Sequence, residues 1–150
     1  MRKFKVLVSV CMVVGLLMLP NFANATLDEA KALVEKAEAY YKANGKEKAL
    51  QEFNNPKGEF VKGELYVFAY DEKATIIAHP INPKQVGVNL LEVPDVDGKM
   101  FRKEAMEKVK KDGSAVVDYK FKNPATGKVE QKTSYFKKVG DIVIACGTYK

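Results

Sequence analysis

The sequence predicts an α+β domain with a largely antiparallel sheet of five strands. Three observations support that class. Two segments place apolar residues at helical spacing, a hairpin and a closing three-strand meander alternate with period two, and turn residues punctuate the junctions.

The first helix follows from Ala30, Leu33, Val34, Ala37, Tyr40 and Tyr41, which recur on one face with Lys and Glu between them. Thr26 and Glu29 have capping-box spacing at its start, and Ala43-Asn44-Gly45 supplies a stop. A short second helix is expected over residues 46–53, followed by the turn-rich Asn54-Asn55-Pro56-Lys57-Gly58. In residues 65–70 both alternating sets are apolar or amphipathic, so this strand should be covered on both faces and lie centrally. Asp71-Glu72-Lys73 turns the chain into a second strand, residues 74–78, ending at His79-Pro80. Residues 81–96 read as a long loop punctuated by Pro83, Gly87 and Pro94, with a single helical turn at Asn89-Leu90-Leu91. An amphipathic helix over residues 98–111 turns Phe101, Ala105, Met106 and Val109 inward, with Asp95 or Asp97 at its start. Lys108, Lys110 and Lys111 crowd its end, where the helix dipole favours cations. The meander is residues 115–121, a hairpin loop at 123–127, a polar strand at 130–138 and a hydrophobic strand at 142–149.

The N-terminus points to export. A basic start (Arg2, Lys3, Lys5), an apolar run from Val6 to Leu19, Pro20 and the small-x-small Ala23-Asn24-Ala25 form a secretory signal peptide over residues 1–25, cleaved after Ala25. The run is shorter than the roughly 20 residues that span a bilayer, although retention as an anchor is the competing reading. Residues 26–150 then form one domain, expected in the periplasm or outside the cell. Losing Arg2, Lys3 and Lys5 leaves 22 bases against 19 acids, a mild excess spread along the chain that argues against nucleic acid as a partner. Cys146 is then the single cysteine, so no internal disulfide forms; it reads as a small buried hydrophobe, with an intermolecular disulfide as the alternative.

No catalytic constellation emerges. Ser-His-Asp context, G-x-S-x-G, a phosphate-cradling loop and a Rossmann fingerprint are all absent, and one histidine with one distant cysteine makes no metal site. The expectation is therefore a non-enzyme with no cofactor. A binding site for a small anion is better supplied: it needs a cation, hydroxyl donors and apolar walls. Lys132 lies in a strand, His79 stands beside the long loop, and tyrosines occur at 66, 70, 119 and 135. Each also has a plain structural role to fill, as a solvated lysine, a satisfied histidine or a core tyrosine.

The ordered series Tyr66-Val67-Phe68-Ala69-Tyr70, Ile77-Ala78-His79-Pro80, Gly87-Val88-Asn89-Leu90-Leu91 and Asp97-Gly98-Lys99 resembles the centre of the single Cache (type 2) sensor domains. Gly113, Val117-Asp118-Tyr119, Asn123-Pro124, Lys132, Ser134-Tyr135 and Gly147-Thr148-Tyr149 resemble that family's closing meander. The resemblance implies a PAS-like or profilin-like extracytoplasmic domain. A long N-terminal helix packs on a five-stranded antiparallel sheet, a second helix joins strands 2 and 3, and a pocket lies on the other sheet face. It also implies a small organic carboxylate as ligand, paired with Lys132, with Phe68, Tyr70, His79, Tyr119 and Tyr135 lining or bonding the pocket.

Lys132 and Tyr135 are three apart, which on a regular strand sends them to opposite faces. A bulge between them, or exclusion of one with Lys132 retained, is therefore expected. Because Lys150 closely follows the last strand, a stand-alone binding protein reporting to a membrane chemoreceptor or histidine kinase is the expectation. The reading from a different class is an interaction or homodimerisation module with a vestigial pocket.

Overall fold

The computed structural model describes residues 24–150, so the signal-peptide reading lies outside the described residues apart from Asn24 and Ala25. Helix α1, Leu27–Asn44, starts with the expected capping box: Glu29 N–H donates to Thr26 Oγ1 at 3.2 Å and Thr26 N–H to the Glu29 carboxylate at 2.7 Å. Gly45, at φ +83°, ends it and returns its N–H to the Tyr41 carbonyl. Helix α2, Lys46–Phe53, follows at once and buries Ala49 and Phe53.

The strand expected over residues 65–70 is divided. Strands β1, Val61–Lys62, and β2, Leu65–Tyr66, pair as a small ribbon, and β3, Phe68–Asp71, enters the main sheet. The Val67 N–H donates to the Phe60 carbonyl at 3.0 Å and takes the chain off the main ladder at that residue. Strand β4, Ile76–Ala78, returns antiparallel to β3. After α3, Phe101–Asp112, come β5, Ser114–Lys122, β6, Val129–Val139, and β7, Ile142–Tyr149. The five main strands run in the order β4-β3-β7-β6-β5, all antiparallel, so the last strand of the chain becomes the centre.

Two local expectations change in the segment before α3. The helical turn falls at Pro83–Gln85, while Asn89 pairs with Thr75 instead of turning. Gly87 N–H to Ile76 O, Ile76 N–H to Val88 O and Leu90 N–H to Ala74 O stitch this segment along β4 and close that sheet edge. Neither Asp95 nor Asp97 caps α3. Asp95 accepts N–H bonds from Asp97, Lys99 and Lys120 and so ties the loop to β5.

The sheet is covered on both faces. Val67, Ala69, Ile142, Ile144 and Cys146 meet Ala30, Val34 and Ala37 of α1 and Phe53 of α2 on one side. The residues between them, Phe68, Tyr70, Val143 and Ala145, face α3 through Phe101, Ala105 and Val109. Strand alternation alone separates the two cores.

Strand β4 carries one irregularity. Ala69 pairs with Ala78 but Tyr70 pairs with Ile76, so Ile77 is an extra residue in β4. Ile76 packs in the α3-side core and Ala78 in the α1-side core, which a regular strand would forbid. The bulge lets Ile76 and His79, three apart, face the same side.

Candidate functional site

Lys132 is the centre of the α3 face. It lies opposite Tyr119 on β5 and opposite Tyr149 on β7, and it is 1% exposed. Its stem crosses β7 where Gly147 stands: a Cβ there would fall 1.9 Å from Ser134 Oγ and 2.9 Å from Lys132 Cε. Nζ donates to Tyr66 Oη at 2.9 Å and lies 4.5–5.4 Å from the ring centres of Tyr66, Tyr149, Phe68 and Phe121. No carboxylate among the described residues pairs with it. Burial lowers its pKa to about 7. The nearby Cys146 thiol is pushed up to about 12, again by burial, so it supplies no anion at neutral pH.

His79 reaches the same space from the end of β4. Its ring packs on Tyr66 and Phe68, with centroids 5.2 and 6.0 Å away. Nδ1 accepts the Asn82 N–H at 3.0 Å, which places the proton of the neutral ring on Nε2. Burial first, and then the Lys132 charge, lower its pKa to about 4, so it is neutral at pH 7.

Arg102 enters from the first turn of α3. It is 4% exposed, its guanidinium sits 4.2 Å over the Phe101 ring, and Nη1 donates to the Val93 carbonyl at 3.1 Å. Its Nε is buried without a hydrogen-bond partner. Phe101 stacks flat on Tyr119 at 3.8 Å, and Tyr119 Oη hydrogen-bonds Ser134 Oγ at 2.9 Å. Burial raises the Tyr66, Tyr70 and Tyr119 hydroxyl pKa values, so all three stay protonated.

These side chains bound one cavity of about 10 Å³, with Ile76, Phe121 and Gln85 completing the wall. That is room for about one water. Two wider clefts, of about 540 Å³ beside the start of α1 and about 370 Å³ beside α3, are open surface grooves whose lysines and glutamates face mainly solvent. Among the described residues no group of three or more His, Cys, Asp or Glu could hold a metal ion.

Of the residues singled out in the sequence, Phe68, Tyr70, His79, Tyr119 and Lys132 meet around this cavity. Tyr135 does not. The β6 register runs unbroken through Lys132 and Tyr135, so no bulge intervenes, and Tyr135 packs in the α1-side core. Its expected pocket role is corrected by strand parity. Sequence reasoning passes over Arg102 because helical periodicity ranks only apolar positions. A signal is nonetheless present: Arg102 is the only arginine after residue 2 in a chain rich in lysine.

A family model described as single Cache domain 2 matches residues 21–150. Among solved structures, a methyl-accepting chemotaxis protein from Vibrio parahaemolyticus RIMD 2210633 is 21% identical with a TM-score of 0.70, over 81% of this chain and 86% of that one. The periplasmic sensor domain of a chemotaxis protein is 24% identical, TM-score 0.64, over 82% and 89%. A Cache chemosensory domain studied for carboxylic acid recognition is also 24% identical, TM-score 0.64, over 82% and 87%. At these identities the likeness is one of fold. No curated protein matches the chain.

Proposed function

From a chain that belongs to the single Cache domain 2 family, we propose an extracytoplasmic sensor that takes a short organic carboxylate into the Lys132 cavity and reports it through a membrane chemoreceptor or histidine kinase. The carrying observation is Lys132: a buried amine with four aromatic rings around it and no acidic partner among the described residues. Burying an ammonium costs several kcal/mol unless a counter-ion joins it, and a ligand carboxylate is that counter-ion. In this reading Lys132 and Arg102 take the carboxylate, with hydrogen bonds from His79 Nε2–H and the hydroxyls of Tyr66, Tyr70 and Tyr119. Phe68 and Phe101 exclude water. The cavity is too small for a carboxylate as it stands, so a wall must move. The segment at residues 81–96, which brings Gln85 to the cavity and is irregular apart from one short turn, is the wall we assign to that movement. Among the described residues no helix is long and apolar enough to cross a membrane.

The test is a thermal-shift screen of the purified protein against acetate, propionate, lactate, pyruvate and malonate, with Lys132→Met beside wild type. A ligand at a hundred times its Kd should add about 2.7 kcal/mol, several degrees in Tm, and Lys132→Met should abolish the shift. No shift with any of them, in protein free of co-purified ligand, would defeat the proposal.

One observation favours an interaction module instead. Ile81, Val86, Val88, Val93 and Val96 are all exposed on the same loop, and the narrow cavity is nearly filled by its own side chains. The buried, unpaired Lys132 weighs against it, because a vestigial pocket has no reason to keep that cost.

A further inference from the structure

Resting on the carboxylate reading, we propose that the ligand is a short 2-hydroxy monocarboxylate whose hydroxyl donates to Gln85 Oε1. Two buried polar atoms lack hydrogen-bond partners among the described residues: Arg102 Nε, a donor, and Gln85 Oε1, an acceptor. Both belong to residues of the same cavity wall. A buried polar atom left unpaired costs about 1–3 kcal/mol, so a ligand that satisfies both gains over one that satisfies only the donor. A carboxylate oxygen meets Arg102 Nε. It cannot meet Gln85 Oε1, because both are acceptors.

The second ligand group must therefore bring a hydrogen. An ammonium would bring one, but the cavity already holds Lys132 and Arg102, and no Asp or Glu among the described residues lines it. A third positive centre there would meet like-charge repulsion in a medium of low dielectric. A neutral hydroxyl brings the hydrogen without the charge. A 2-oxo group or a second carboxylate would set an acceptor against an acceptor. Lactate, the simplest chiral member of this class, would set its methyl group against Ile76 or Phe68 of the cavity wall.

Titration calorimetry at pH 7 with D- and L-lactate, propionate, pyruvate, alanine and malonate separates these classes. One lactate enantiomer should bind at least about tenfold more tightly than propionate and ahead of the other three. Gln85 is half-buried in a short turn whose other residues are exposed, so the similarly sized Gln85→Met should fold normally, and in it the lactate-to-propionate ratio should collapse to about one. Tightest binding by propionate, pyruvate, alanine or malonate would overturn the proposal while leaving the carboxylate reading standing. So would a lactate preference that survives Gln85→Met, even with both affinities reduced. Binding of none of the carboxylates would overturn both.

Discussion

On the α1 side of the sheet, Val67, Ala69, Ile142, Ile144 and Cys146 pack with Ala30, Val34, Ala37 and Phe53, an aliphatic interior with aromatic edges. On the α3 side the intervening residues of the same strands share their core with Lys132, Ser134, His79 and Arg102, all under 5% exposed. Strand geometry, pairing and burial are alike on the two faces. Only their chemistry differs, and under the proposed function the faces divide the labour: the dry face carries stability, and the polar face gives some of it up for recognition.

Substitutions on the two faces should therefore have opposite signs. Ile144→Ala should lower stability by about 3 kcal/mol in denaturant unfolding while leaving the carboxylate Kd of the folded protein unchanged. Lys132→Met should do the reverse, raising stability at pH 7 by about 2 kcal/mol and removing binding. A destabilised Lys132→Met would show that Lys132 has a counter-charge and would break the comparison.

A pH series sharpens it. The Lys132 pKa lies at about 7 in the fold against a normal 10.5, so between these values the unfolded chain holds the extra proton and stability rises with pH. The advantage of Lys132→Met should then shrink and, before the window ends, reverse, by up to about 1.4 kcal/mol per pH unit, in paired unfolding curves. His79, at about 4 against 6.5, adds a second rise between those values, which should be smaller in Lys132→Met because the Lys132 charge is one of its causes. Ligand affinity should move oppositely, falling by up to about tenfold per pH unit above 7, because binding must return a proton to Lys132. The smallest effect belongs to Tyr135→Phe, which should change stability by about 0.5 kcal/mol or less and leave the Kd unmoved, since its side chain packs on the dry face.

What could be read from the sequence depends on how local each cause is. The α1 cap depends on residues three apart, and it forms as the spacing predicts. The parity of Lys132 and Tyr135 is also local, because β6 is regular. The β4 bulge is not local: an extra residue is defined only by the strand opposite, and nothing in Thr75-Ile76-Ile77-Ala78 announces it. The break at Val67 likewise depends on a carbonyl seven residues away. The pocket is thus legible on its regular strand and partly hidden elsewhere. The family resemblance points to His79 without the bulge that turns it inward, and Arg102 lies beside Phe101, an apolar position that helical spacing does pick out.

The size of the cavity has a consequence in time. A carboxylate cannot enter about 10 Å³ without displacing a wall, and two of the wall's own side chains hold the loop: His79 through Asn82 N–H, and Arg102 through the Val93 carbonyl. Entry then waits for those bonds to open, so the observed association rate should level off at high ligand concentration instead of rising in proportion to it. A protein gated in this way averages over concentration changes faster than its own opening. The two hydrogen bonds from the cavity's own side chains to the loop, together with its backbone bonds to β4, would set the shortest interval over which it can register a change.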